Sequence, residues 1–519
     1  MWIRLLEEAG RAVVAMLSLP FFYLAVLLVW VHASRTAAWQ RKMHHVRLHR
    51  PLAMTLHRTL AGFLAGAAIS VVGLSTAFRL DARALTLLWI LLAALLLIRP
   101  RLARAGVAAA LLALGQAVLR QLPVVWPEDP AAPLAWLKGL ADALTELDAA
   151  GLLLLAGLLH AAEGLMVRWQ GARFANPLVV AGKRGKRIGA YELAAVWPVP
   201  LLLLVPGDIA LPWAPVLGWE PDTAGWAFLA FPVPVGFGVR TFTYWPEDKA
   251  RFTARLSFWY GVVVAAVALA AALLQTRLPA VAGIAAVLAL LLHEAAFRWN
   301  RWREQGRRLL YVHDGRGLTI LAVQPGTAAE AMGLQAGEVV RQANGVPVHN
   351  LAELHAALER QPAYTRLEVL NREGQIKFAQ RARYASERHL LGLVPAPEGK
   401  EPYAVPYRPL GLWQWLTGAG LRGVRRRDVG GMAALEGTSL EEARGDAAAE
   451  VSAARNGDGA GGEAAAGTTD AAEAADAANA ANAGVSAADK ATAGDIPSAG
   501  EPAGLPPRRA RKRTPDASS

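Results

Sequence analysis

A histidine and a glutamate stand side by side near the end of a long apolar run, in the stretch LLHEAAFRWNRWRE (291–304). Zinc peptidases of the His-Glu-x-x-His type place a second histidine four residues after the first, on the same helix face, with the glutamate as general base. Here His293 and Glu294 are followed by Phe297 at that position, and a phenyl ring cannot bind zinc. We therefore predict no catalytic residues and no metal.

A second stretch, LLHAAEGLMVRW (158–169), repeats the pattern of the first: Leu-Leu-His, with Arg-Trp eight and nine residues after the histidine. One interpretation is that both stretches end membrane spans, with Trp and Arg at the interface. The alternative is a structural polar cluster inside the membrane, which fastens two spans or binds a metal, because ionisable groups in lipid are costly and often functional. That cluster would contain His160, Glu163, His293 and Glu294.

Other catalytic signatures are missing from the sequence. There is no cysteine, hence no thiol chemistry, and no GxSxG or P-loop motif occurs. We predict that the protein is not an enzyme and has no cofactor, no small-molecule substrate and no nucleic-acid partner.

The apolar residues are concentrated in the first 300 positions. The chain of 519 residues is 54% hydrophobic with a mean hydropathy of +0.27, which indicates a polytopic α-helical membrane domain followed by a water-facing part. We predict eight or nine spans, the Pro-rich one (FPVPVGFG) being broken or re-entrant. The candidates are 13–31, 59–78, 84–98, 105–120, 150–167, 191–206, 225–239, 257–275 and 279–297.

Loop charge predicts the orientation. Loops 34–58 and 168–187 each hold six Lys or Arg and no acid, and loops 99–104, 240–255 and 298–308 are also basic. The alternate loops together hold only five Lys or Arg, and their acids include Asp129, Asp142, Glu146, Asp148, Asp208, Glu220 and Asp222. By the positive-inside rule the basic set is cytoplasmic, with everything after 298 on that side and the N-terminus outside if the count is nine.

Residues 309–395 change to a pattern of short strands, turns and two helices, the first of them short. Pro325-Gly326 predicts a turn, Asn344-Gly345 a type I′ hairpin, and Asn350 with Glu353 a capped helix start. This stretch resembles a small α/β PDZ domain of the permuted bacterial type. The resemblance rests on Pro325, Gly326, Ala328, Ala329, Gly333, Leu334, Gly337, Glu338, Val339, Asn344 and Gly345.

The resemblance implies a peptide groove that binds by strand addition and receives a carboxylate on backbone amides. Two segments compete for the carboxylate loop: HLLGLVP (389–395) and VHDGRGLTI (312–320). The candidate peptide-binding residues are Gly317, Leu318, Thr319, Leu391, Gly392 and Leu393. A blocked or unused groove is the remaining alternative.

The predicted domains are a transmembrane domain (1–298), a cytoplasmic PDZ domain (299–396), an amphipathic or linker segment (397–429) and a tail (430–519). The tail is rich in Ala, Gly and acids with a basic end. It has too few large apolar residues to fold, so we predict disorder.

Residues 1–396 as a whole resemble the MinJ family of bacterial division-topology proteins. Besides the PDZ segment, the likeness rests on 20–47, 176–201 and the junction 293–323. It implies a scaffold at the plasma membrane, at septa and poles, that links the polar protein DivIVA to MinD and so to the MinC–MinD inhibitor of division. The membrane lipid and these proteins are its expected partners. The alternatives are an accessory or degenerate relative of a site-2 intramembrane protease, and a transporter or channel.

Overall fold

The computed structural model describes residues 2–76, 80, 82–122, 126–127, 132–181, 187–214, 225–305, 307–313, 315–382, 391–399, 401 and 403–406. The predicted tail, the basic loop 182–186 and residues 389–390 of the carboxylate-loop candidate lie outside them.

Apolar helices make up most of the first 302 residues. Among the described residues, five helices are long and apolar enough to cross a membrane: Pro20–His44, Pro51–Thr76, Ala149–Gln170, Pro246–Leu274 and Val281–Trp302. Two shorter helices, Ala82–Ile98 and Ala105–Gln121, are also apolar. The helices are α1 (Trp2–Ser18), α2 (Pro20–His44), α3 (Pro51–Thr76), α4 (Ala82–Ile98), α5 (Ala105–Gln121), α6 (Ala132–Thr145), α7 (Ala149–Gln170), α8 (Pro246–Leu274) and α9 (Val281–Trp302), with a short 3₁₀ turn at Pro100–Leu102.

Strands form two sheets. Their bounds are β1 (Asn176–Ala181), β2 (Arg187–Gly207), β3 (Gly225–Thr241), β4 (Leu318–Val323), β5 (Val339–Ala343), β6 (Val346–Pro347), β7 (Tyr364–Leu370), β8 (Ile376–Ala382), β9 (Leu393–Pro395) and β10 (Val405–Pro406); two short helices, α10 (Ala328–Ala331) and α11 (Leu351–Glu359), complete the fold. The first sheet has the order β10-β1-β2-β3, and the second β8-β7-β5-β4-β9 with β6 beside β5.

Two of the predicted spans, 191–206 and 225–239, are not helices. They are the long strands β2 and β3, paired antiparallel from Tyr191 opposite Thr241 to Gly207 opposite Gly225. The predicted count of eight or nine helical spans is therefore wrong on these two segments. The first predicted span, 13–31, is also divided, because α1 ends at Ser18 and α2 begins at Pro20.

Prolines explain why these apolar runs form strands. Pro198 lies opposite Pro234 and Pro200 opposite Pro232, and a proline interrupts a helix but fits an outward-facing strand position, where no N–H is needed for pairing. The backbone N–H and carbonyl groups of the even-numbered residues of β2 point away from β3. The Ala194 carbonyl, for example, accepts from Arg58 and not from β3. The prolines thus remove donors that apolar surroundings could not satisfy.

Helix α3 covers the outer edge of β2 with one row of residues four apart. Arg58 donates to the Ala194 carbonyl at 2.7 Å, and Ser70 Oγ accepts from the Leu202 N–H at 2.8 Å. Between them a Cβ added at Gly62 would overlap the carbonyl of Pro198, and one at Gly66 that of Pro200. Glycine at these two positions lets the helix touch the strand backbone.

The centre of the bundle is the pair α7 and α8. A Cβ added at Gly157 would lie 2.5 Å from the Ala265 nitrogen, and one at Gly164 would lie 2.7 Å from the Ala254 carbonyl oxygen. Such contacts require small residues on both helices, which drive helix association where lipid provides no hydrophobic gradient. The odd-numbered face of the hairpin, including Trp197 and Phe231, packs into the same core.

The turn chemistry predicted for the second sheet is confirmed. Asn344 and Gly345 have φ of 51° and 80°, as a type I′ turn requires. Gly326 has φ of 77° after Pro325, which fits position i+2 of a type II turn. Asn350 caps α11 by accepting from the Glu353 N–H.

Candidate peptide-binding site

One of the two candidate carboxylate-loop segments is enclosed on both sides. Leu318 and Thr319 belong to β4, pair with β5 on one side, and are 1% and 2% exposed. On the other side the Thr319 carbonyl accepts from the Ala396 N–H at 2.8 Å. A Cβ added at Gly317 would overlap the Val340 carbonyl oxygen. This segment therefore has no strand edge to offer a peptide.

The other segment lies at the edge of the sheet. Leu391 and Gly392 precede β9, which begins at Leu393 and pairs only with β4 among the described residues. Gly392 has φ of 85°, and a Cβ there would overlap the Thr327 side chain. Both constraints require glycine, and a left-handed residue in a turn is typical of the backbone concavities that bind anions.

The second sheet packs on the bundle beside the basic segment 240–255. Trp245 packs onto Gly337, where a Cβ would overlap the indole ring. The Arg372 guanidinium stacks on that ring at 4.5 Å, donates to the Ala336 carbonyl at 3.0 Å and approaches Glu247 at 3.5 Å. A partly buried indole with a stacked arginine is typical of an energetically important contact.

Tyr311 forms a second contact between the domain and the bundle. Its carbonyl accepts from the Gly189 N–H at 2.9 Å, its hydroxyl donates to the Tyr244 carbonyl at 3.2 Å, and its ring lies 5.1 Å from that of Tyr191. Tyr191 in turn donates to the Leu321 carbonyl of β4. Burial raises the pKa of Tyr311, so its phenol stays neutral and serves as a donor.

The chain after the domain returns to the bundle as a strand. Val405 and Pro406 pair parallel to Val180 and Ala181 of β1, and the Lys42 ammonium lies 4.8 Å above the Tyr403 ring. The domain is therefore attached at its N-terminal side, on its surface and at its C-terminal side. These contacts fix the direction in which the edge of β9 faces.

The sequence reasoning missed the residues that hold the domain in place. The sequence places Trp245 in the basic loop 240–255 and does not single out Arg372. A local signal exists only for Trp245, which directly precedes the helix-starting Pro246. Gly337 lies about ninety positions from Trp245, and Arg372 lies more than 120 positions from Trp245 and Glu247, so local patterns do not report these contacts.

The predicted polar cluster is partly assembled. The Glu163 carboxylate, 1% exposed, accepts from Arg104 at 3.0 Å and from Ser257 at 2.8 Å. The His160 ring lies 6.4 Å from that of His293. The cluster thus joins α7, α8, α9 and the residue before α5 through hydrogen bonds and ring contacts.

Tyr260 completes a triangle of rings with the two histidines, at centroid distances of 4.9 Å to His160 and 5.7 Å to His293. Glu294 is not in the cluster; it pairs with Arg298 one turn along the same helix. Phe297, at the place of the second zinc ligand, lies under the Arg101 guanidinium at 5.0 Å. Within the described residues no three His, Asp or Glu side chains are arranged to hold a metal ion.

Comparison with known proteins agrees with this architecture. The family model described as PDZ domain matches residues 319–372. The cell division topological determinant MinJ of Bacillus subtilis (strain 168) is 35% identical over 252 residues, which is 48% of this chain and 62% of that protein. The chain thus spans less than two thirds of that relative's length.

Two further relatives carry the name probable cell division topological determinant MinJ, from Lacticaseibacillus paracasei and Lacticaseibacillus casei (strain BD-II). Each is 30% identical over 306 residues, covering 56% of this chain and 78% of the relative. No solved structure matches the chain. Since the shared region includes most of these relatives, the chain belongs to the MinJ family of cell division topological determinants.

Proposed function

We propose that this chain is a membrane-anchored adaptor in bacterial division-site selection that binds partner proteins at its PDZ domain. The observation that carries this proposal is how the domain packs on the bundle. Its surface contacts the bundle of apolar helices at Trp245 and Tyr311. Among the described residues, β9 has no strand partner on its outer side. A fixed sheet edge next to a membrane is suited to recruiting a peptide to that membrane.

The side on which the domain lies supports a cytoplasmic location. The domain contacts the bundle beside the basic segment 240–255, and loops rich in Lys and Arg face the cytoplasm. The names of the relatives support a role in placing the division site. We propose that the partners include MinD and DivIVA and that the protein collects at septa and poles.

Localisation tests the cellular part of this proposal. A fluorescent protein fused to the full chain should concentrate at septa and poles in the bacterium that carries it. Uniform membrane fluorescence through the whole cell cycle would refute a role in site selection.

Affinity capture tests the site. The full chain, solubilised in detergent, should retain MinD or DivIVA from purified mixtures, and Gly392→Val should abolish retention, since a side chain there meets Thr327. Ile376→Ser is the matched control, because Ile376 is 50% exposed on β8 at the opposite edge of the sheet. Equal retention by both variants would show that the β9 edge is not the binding site.

A further inference from the structure

Arg58 differs from the other lysine, arginine and acidic side chains that the described residues bury. Three such groups, each at most 3% exposed, have an opposite charge within 3.0 Å, in the pairs Lys249–Glu304, Glu163–Arg104 and Glu338–Lys377. Arg58 is 1% exposed, and no acidic side chain in the described part of the chain lies within 4.0 Å of it. Its charge therefore lacks the compensation that the fold gives to the others.

The Arg58 guanidinium makes its hydrogen bonds with neutral groups. Nη1 lies 2.9 Å from His32 Nδ1, and Nη2 donates to the Ala194 carbonyl at 2.7 Å. Because a guanidinium only donates, His32 Nδ1 accepts there and carries no proton. Among the described residues Nε has no hydrogen-bond partner. A positive charge buried among neutral groups is costly unless an anion compensates it.

A small cavity adjoins Arg58 where α3, the end of α7 and the hairpin meet. Its volume is about 10 Å³, close to the room that one water-sized particle needs. The Gln170 amide in its wall is fixed, since its oxygen accepts from Trp197 at 3.1 Å and its nitrogen donates to the His57 carbonyl at 2.8 Å. None of the lining residues is acidic: Arg58, Gln170, Gly171, Phe174, Leu193, Ala194, Ala195, Trp197 and Phe237.

We propose that this cavity binds one chloride ion, which neutralises Arg58 and accepts a hydrogen bond from its guanidinium. Bonds between a charged donor and an anionic acceptor are the stronger ones. The space suits a monatomic ion and is too small for phosphate, sulfate or a carboxylate group. A lipid phosphate cannot reach a side chain that is 1% exposed. Since Arg58 joins α3 to the Ala194 carbonyl of β2, the bound ion stabilises the contact between that helix and the hairpin.

Thermal unfolding of the full chain in neutral detergent micelles tests this site. The potassium salts of chloride, bromide and gluconate are compared at equal ionic strength and pH. A ligand that binds only the folded state raises the midpoint of unfolding. The midpoint should be about 2–6 °C higher in chloride or bromide than in gluconate, which is too large for the cavity.

Two variants remove the need for the ion in different ways. Arg58→Met removes the positive charge, and Gln170→Glu places a carboxylate in the cavity wall as an internal counter-charge. Both should unfold at a midpoint that does not depend on the anion, and Gln170→Glu decides the matter if Arg58→Met does not fold. Arg50→Gln is the matched control, because Arg50 is exposed directly before the same helix, and it should keep the difference of the natural chain.

Three results would overturn the inference. Equal midpoints of the natural chain in chloride and gluconate would mean that the cavity holds water only. An undiminished difference in Gln170→Glu would mean that chloride acts at another place. Loss of the difference in Arg50→Gln would trace it to the net charge of the protein and not to Arg58.

Discussion

The contact between α3 and the hairpin predicts a large effect from the smallest substitution. In Gly62→Ala the new Cβ would lie 2.8 Å from the Pro198 carbonyl carbon and 3.2 Å from its Cδ, and closer still to the carbonyl oxygen. Carbon atoms in contact prefer about 3.5–4.0 Å. Helix and strand must therefore separate by roughly 1 Å along this seam.

The cost follows from what the separation disturbs. Overpacking costs about 1–3 kcal/mol, and a buried hydrogen bond left unsatisfied costs about 1–3 kcal/mol. The bonds at risk are Arg58 to the Ala194 carbonyl and Leu202 N–H to Ser70, one turn or two turns from Gly62. Alanine recovers about 1 kcal/mol of helix propensity, so we expect a net loss of about 2–4 kcal/mol.

Thermal unfolding of the detergent-solubilised protein measures this loss of stability. The readout is the fraction of protein that stays monodisperse in gel filtration after heating. Gly66→Ala should behave like Gly62→Ala, since its Cβ would lie 3.0 Å from the Pro200 carbonyl carbon. Gly115→Ala in α5 is the matched control, because no atom lies within 4 Å of its added Cβ, and it should leave stability equal or slightly higher. If Gly62→Ala is as stable as Gly115→Ala, the close contact between α3 and β2 does not depend on glycine at position 62.

Three further outcomes are expected. Trp245→Ala should release the PDZ domain from the bundle at a cost of about 2–4 kcal/mol, seen as faster proteolysis of the linker after α9. Trp259→Ala should not have this effect, since Trp259 is 61% exposed. Burial lowers the pKa of His49 to about 4, so between pH 6.5 and 4 the unfolded chain binds a proton that the folded chain does not. The free energy of unfolding should therefore fall by about 3 kcal/mol from pH 6.5 to 4. His49→Gln should make thermal unfolding less dependent on pH in this range. Arg104→Gln should destabilise the detergent-solubilised protein by about 3–5 kcal/mol, because it leaves Glu163 as a buried unpaired charge, and adding Glu163→Gln should restore part of the loss in the same unfolding measurement.

Features that depend on neighbouring residues could be predicted from the sequence. The turn at Asn344-Gly345 follows from the ability of both residues to take positive φ. The start of α11 follows from the Asn350 side chain, which accepts from the N–H of Glu353 three residues later. The family match confirms the PDZ assignment over 319–372. Each of these features needs only a few consecutive residues to specify it.

The hairpin could not be recognised from hydropathy, because a sliding window measures how apolar a run is and ignores its period. The informative signal was the spacing of Pro198 and Pro200, and of Pro232 and Pro234, two apart in each run. That spacing excludes a continuous helix but suits a strand with its outward positions free of N–H groups. The same apolar content therefore supports two opposite structures, and proline decides between them.

The placement of the polar cluster needed tertiary information. Glu163 and His293 stand 130 positions apart, and the arginine that neutralises Glu163 comes from a short basic segment before α5. Charge counting assigns that arginine to orientation alone. Only the packing of α5 against α7 shows that Arg104, the residue before α5, also compensates the buried carboxylate of Glu163.

The mounting of the PDZ domain has a thermodynamic consequence for its ligands. Leu321 of β4 and Val394 of β9 are buried in the same cluster as Tyr311 of the linker, so the strand pair that bears the groove also forms the contact with the bundle. A ligand that binds the docked arrangement more tightly than the released one must strengthen docking by the same factor, because coupling between two equilibria is reciprocal. Partner binding and the position of the domain on the bundle are therefore linked through β4 and β9. For a ligand that prefers the docked arrangement, weakening the Trp245 contact should lower the affinity.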